Sequence, residues 1–185
     1  MKPRVLLVNP PIYDFSAYDF WLKPYGMLRV AGFLRAQAHF EIFDFLDRHD
    51  SRVPPGRYRS DPWGRGEYFS TPVEKPEIYA EIPRQFRRFG LPRREFQRYL
   101  GNSEPFDFAF LQTGMTYWYL GLREVIADLR AAWPQTKIIL GGVYATICAA
   151  HARTLGADLV LEGIDLSPLW KFVCMAPEES SMPLW

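Results

Sequence analysis

Arg4 to Val8 is an unbroken aliphatic run that stops at Asn9-Pro10-Pro11. A continuous run, rather than alternation, marks a strand covered on both faces. From Pro24 to Ala38 the period changes: Met27, Leu28, Ala31, Leu34 and Ala38 recur at helical spacing, with Pro24 where a first turn tolerates it. Phe40 to Leu46 reads as a second strand and Phe106 to Gln112 as a third. Leu120 to Trp133 is an amphipathic helix turning Leu122, Val125, Ile126 and Leu129 inward. A fourth strand follows at Lys137 to Leu140, a helix from Tyr144 to Leu155, and a fifth strand at Asp158 to Leu161. Strand alternating with helix implies parallel strands joined by right-handed crossovers. The expected fold is therefore α/β: a doubly wound, five-stranded parallel sheet of Rossmann-like or flavodoxin-like form, strand order 2-1-3-4-5. It should occupy residues 1–170, with 171–185 as a frayed tail.

The segment from about 48 to 101 breaks this rhythm, rich in Pro, Arg and aromatics, and only Arg93 to Leu100 reads as helix. It holds twelve Lys or Arg against seven Asp or Glu; the rest of the chain holds ten against fourteen. Two readings stand: a basic, aromatic lid or docking surface, or an elaborated crossover whose arginines stack on its own rings. A net charge of +1 gives no case for nucleic acid or a membrane surface. The N-terminus has only a short apolar run broken by prolines, so the expectation is no signal peptide, no transmembrane helix and a cytoplasmic location. Cys148 and Cys174 are too few for a disulfide scaffold or a metal knuckle.

In open parallel sheets, ligands sit beyond the carboxyl ends of the strands. The loops there read NPPIYD, TGMTYW, GGVYAT and EGID. Three place glycine at the strand exit, leaving backbone N–H groups and short donors on one rim. No Gly-x-Gly-x-x-Gly follows the first strand, no Walker pattern occurs, and two prolines remove donors from the first loop. The histidines and cysteines form no nucleophile–base arrangement, and the first loop lacks the hydroxyls of an FMN site, so an independent hydrolase or flavoprotein is the weakest reading.

The succession VLLVNPP, PYGMLRVAGFLRAQAHFEIFDF, LQTGMTY, KIILGGVYAT and GADLVLEG resembles the cobalamin-binding domain that precedes the barrel of many radical S-adenosylmethionine enzymes. The likeness covers residues 4–47 and 105–165. It implies a corrin over the carboxyl edge of the sheet and a nucleotide tail in a slot between sheet and helices. Carried over by position, Asn9, Pro10 and Pro11 border the corrin, and Thr113, Gly114, Met115 and Thr116 face the ring or tail. Gly141 and Gly142 let the tail pass, with Tyr144 and Thr146 beside it, while Glu162 and Gly163 close the far side. The first loop has no histidine, so cobalt would lack that ligand. Asp47-Arg48-His49 imitates part of the Asp-x-His-x-x-Gly pattern of related cobalamin domains, but it follows the second strand and position 52 is arginine; His39, His49 and His151 read as structural or solvated. The iron–sulfur cluster and S-adenosylmethionine belong to a catalytic domain absent here, because a cluster needs three closely spaced cysteines. That radical enzyme domain, or a partner protein supplying it, is the implied partner. The alternative is a scaffold of the same fold whose slot is filled by Phe110, Met115, Tyr117 and Trp118.

Overall fold

The computed structural model describes residues 2–175. Its centre is a sheet of β1 (Arg4–Asn9), β2 (His39–Asp44), β3 (Phe108–Thr113), β4 (Lys137–Gly142) and β5 (Leu159–Val160). All neighbours are parallel, and across the sheet they run β2, β1, β3, β4, β5. Helices cover both faces, which defines an α/β, Rossmann-like architecture. The helices are α1 (Tyr25–Leu34), α2 (Arg93–Asn102), α3 (Tyr119–Ala132), α4 (Val143–Ile147), α5 (Ala149–Ala152) and α6 (Ser167–Val173).

Side chains alternate across each strand, so the sheet feeds two cores. Leu6, Val8, Phe43, Ala109, Leu111, Ile138 and Leu140 face α2 and α3, where Phe96, Leu122, Val125, Ile126 and Leu129 meet them. Val5, Leu7, Phe110 and Ile139 face the other way, onto Met27, Ala31 and Leu34 of α1 and Leu169 and Val173 of α6.

Several boundaries differ from the sequence expectation. Leu28 is exposed because it lies about 100° round the helix from Met27, off the stripe of Met27, Ala31 and Leu34 that α1 buries. The helix expected over 144–155 breaks at Cys148, whose φ of −117° and ψ of 40° interrupt the ladder. Residues 171–175 are not frayed: α6 runs to Val173, and Val173 and Met175 are buried in the second core. Asp165 accepts the Ser167 N–H at 2.9 Å in the turn that leads into that helix. The remainder of the expected tail, 176–185, lies outside the described residues.

The segment between β2 and α2 forms small antiparallel ladders with the loop between β1 and α1. Ile12–Asp14, Arg87–Phe89 and Ser70–Pro72 form one three-stranded sheet, and Tyr18–Asp19 pairs with Gly66–Glu67. The insertion folds onto the domain through buried groups. Arg88 and Glu124 of α3 pair at 2.7 Å with both side chains 7% exposed, and Arg88 also donates to Leu91 O at 2.6 Å. Tyr13 donates to Glu124 at 2.6 Å. Eight of the twelve cations over 48–101 lie in ion pairs with carboxylates: Arg48, Arg52, Arg59, Arg65, Arg88, Arg93, Arg94 and Arg98. Arg52 lies 4.5 Å over Phe43 and Arg88 5.3 Å over Phe45. Most of these cations thus have carboxylate partners within the fold, although the Arg59, Arg94 and Arg98 side chains stay largely exposed.

Candidate functional site

A groove of about 630 Å3 runs along the sheet face that carries α1 and α6, and it opens at the carboxyl rim. Its floor is Phe110, Gln112, Ile139 and Gly141, and its walls are Phe33 and Val30 on one side, Leu169 and Trp170 on the other. Strand alternation explains the floor. Residues 108, 110 and 112 of β3 share a face with 139 and 141 of β4, and the two strands pair Phe110 with Ile139 and Gln112 with Gly141. The last floor position on β4 therefore has no side chain, so the groove stays open to the rim.

The two adjacent glycines do different work. A Cβ on Gly141 would meet only Leu161, at 3.8 Å, so bare space rather than backbone geometry distinguishes this position. Gly142 has φ of +91°, and a Cβ there would come 3.2 Å from Thr113 O. It is glycine because the strand must turn into α4 through the left-handed half of backbone space. Both belong to β4, so the strand extends two residues past the expected end.

Gln112 is the polar group on the floor. Its Oε1 accepts the Met27 N–H at 3.0 Å, holding the start of α1 against the sheet. Across the rim, Thr146 donates to Gly142 O at 3.1 Å and accepts the Gly163 N–H at 3.0 Å, so one hydroxyl ties the exits of β4 and β5. Glu162 is ion-paired to Arg153, outside the groove lining. Met115 and Ile164 stand exposed on the rim, at 43% and 99%.

The half of the rim above β1 is closed. Asn9, 7% exposed, donates to Asp44 Oδ1 at 2.7 Å, and Pro10 and Pro11 are buried. Burial holds the Asp44 carboxyl above its usual range, opposed by the hydrogen bonds from Asn9 and the Leu46 N–H. Leu22, Pro24 and Trp118 close over this point and leave a cavity of about 70 Å3. Trp118 is fixed by donating its indole N–H to Asp14 at 3.0 Å.

Of the expected residues, Gly141, Gly142 and Gly163 line the groove. Gly114, Met115, Thr146 and Glu162 lie exposed on the rim, and Thr116 is half-buried there. Asn9, Pro10, Pro11 and Thr113 are brought together beneath the cover and present little open surface. Tyr144 is misplaced in the expectation. It is 1% exposed, lies in the core under α3, and its hydroxyl sits 2.6 Å from His151 Nδ1; burial pushes its pKa up to about 12. It points to the opposite face because it follows the turn at Gly142 by two residues. Phe110, expected as slot filling, is floor, and Trp118 packs in a separate cluster with Ile12 and Phe89. Sequence reasoning missed Phe33, Leu169 and Trp170. Leu166, Leu169, Trp170 and Val173 do recur at helical spacing, which was the available signal.

Among the described residues no three His, Cys, Asp or Glu side chains gather as a metal site, and no helix is long and apolar enough to cross a membrane. No protein-family model matches the chain, and a search of curated proteins finds no match either.

Proposed function

We propose that the chain is a cobalamin-binding module of the type that serves radical S-adenosylmethionine enzymes, with the groove beside Gly141 taking the nucleotide tail. The observation that carries this reading is the groove itself: an apolar slot between sheet and helices that reaches the rim where β4 lacks a side chain. A volume of about 630 Å3 is within the range of sites for medium-sized ligands. Phe33 and Trp170 meet edge-to-face at 6.4 Å and, with Phe110 and Leu169, make the lining apolar, while Gln112 supplies an amide. Above it, Gly114, Met115, Gly163 and Ile164 are exposed on the rim, offering apolar contact to a broad ring. When bound, the corrin supplies a methyl carrier or redox centre for a reaction completed by a catalytic partner domain. This chain's residues hold and orient it. None of the three histidines lines the groove, so cobalt receives no protein imidazole from that surface.

The covered state of Asn9, Pro10 and Pro11 shifts the expected ring position toward β3, β4 and β5. The test is retention. Full chain is incubated with hydroxocobalamin, desalted and examined by absorption spectroscopy. A corrin spectrum should travel with the protein, and Gly141→Phe should reduce retention at least tenfold while the melting temperature stays near that of the parent. A folded parent that loses all colour on desalting overturns the reading and leaves the docking scaffold in its place.

A further inference from the structure

We propose that the insertion carries a second ligand site, for a small aromatic phosphomonoester, in a cleft that shares no residue with the groove. The cleft measures about 720 Å3 and lies between the two small antiparallel ladders. One wall is built where Tyr18 pairs with Glu67, the other where Ser70 pairs with Phe89.

Charge is the first argument. Arg57, Arg59 and Arg87 line the cleft, with Glu67 as the sole carboxylate. Arg59 already holds Glu67, at 2.7 Å, and its backbone N–H donates to the other carboxylate oxygen at 3.0 Å. Arg87 donates only to neutral acceptors: Ser70 Oγ at 3.0 Å, Ser70 O at 3.2 Å and Gln85 Oε1 at 2.7 Å. Arg57 makes no hydrogen bond or ion pair among the described residues. Eight of the insertion's cations are matched by carboxylates. Two of the four that are not face this one cavity. Two unmatched guanidinium groups suit a group of about −1.5 to −2 charge, which is a phosphomonoester at neutral pH. Arg87 retains two unused N–H donors, because a guanidinium carries five.

The second argument is the rest of the lining. Tyr18, Tyr58 and Phe69 line the same cleft as the cations. Their positions are set by the fold: Tyr58 donates to Pro54 O at 2.6 Å, and Phe69 O accepts the Gly90 N–H at 2.8 Å. Rings next to guanidinium groups accept a flat group by stacking while the cations take the anion. A cleft of this size admits a single ring with its phosphate and leaves room for a sugar.

The experiment is titration calorimetry on the full chain with phenyl phosphate, inorganic phosphate and phenol as separate probes. Phenyl phosphate should bind at least tenfold more tightly than inorganic phosphate, and phenol should not bind measurably. Arg57→Ala removes a side chain without partners, so it should weaken phenyl phosphate about tenfold with an unchanged melting temperature. Arg87→Gln should weaken it by a similar factor. Hydroxocobalamin retention, read on the same samples, should be the same in parent and variants, which separates this site from the groove. Three results overturn the proposal: a folded parent that ignores phenyl phosphate, equal affinity for inorganic and phenyl phosphate, or full affinity in both arginine variants.

Discussion

At the scale of single residues, the glycine pair at the end of β4 separates two demands that look identical in sequence. Gly142→Ala places a side chain at φ of +91° against Thr113 O, and we expect a loss of about 1–2 kcal/mol in chemical denaturation. Gly121 shows a third demand, close approach: a Cβ there would overlap Pro11 O, so the first loop rests directly on α3. Gly121→Ala should cost about 1–3 kcal/mol by the same measurement. The sequence marks all of these as glycine and cannot say which constraint each one meets, because φ and neighbouring backbone are set by distant strands. Asp158 carries the pH dependence expected at this scale. Burial raises its pKa, but hydrogen bonds from Arg130 at 2.7 Å and the Ile138 N–H at 2.7 Å outweigh that and hold it below 3.8. Its stabilisation is complete above the unfolded value and fades as pH falls through the lower folded one. Asp158→Asn should accordingly flatten the acid limb of a melting-temperature profile below about pH 4.

At the scale of elements, aliphatic runs revealed the strands because burial on both faces leaves no polar positions to confuse the period. Lys137 to Leu140 could be read that way, whereas Gly141 and Gly142 could not be assigned to the strand, since their pairing with Gln112 and Thr113 depends on register. Apart from the helix at Arg93 to Leu100, the insertion was legible only as a break in rhythm. Its ion pairs join residues far apart in sequence, such as Arg88 with Glu124 and Arg93 with Asp128, and composition alone shows neither partner. The groove suffered likewise: α6 supplies a wall from beyond the last recognised strand. The Arg88–Glu124 pair gives the strongest expectation here. Glu124→Ala leaves a buried guanidinium without its counter-charge and should cost about 3–5 kcal/mol. Removing both charges by Arg88→Met with Glu124→Leu should recover much of that loss, read as a double-mutant cycle.

At the scale of the whole molecule, the insertion does not behave as a separate unit. Leu91, Phe96 and Leu100 share one core with β1, β2 and β3, and Phe96 touches Phe43 and Phe45 at centroid distances of 4.8 and 5.3 Å. Unfolding should therefore be a single transition, seen at the same midpoint by tryptophan fluorescence and far-ultraviolet circular dichroism. Phe96→Ala should shift that one midpoint, at a cost of about 3–5 kcal/mol, rather than split it. The cover over Asn9 and Pro10 has a further consequence. With Trp118 latched to Asp14, the rim is covered above β1, whereas the groove opens toward β4 and β5. For the proposed cobalamin reading, this asymmetry would put the approach of the ring on the β5 side and its stop at the covered β1 side.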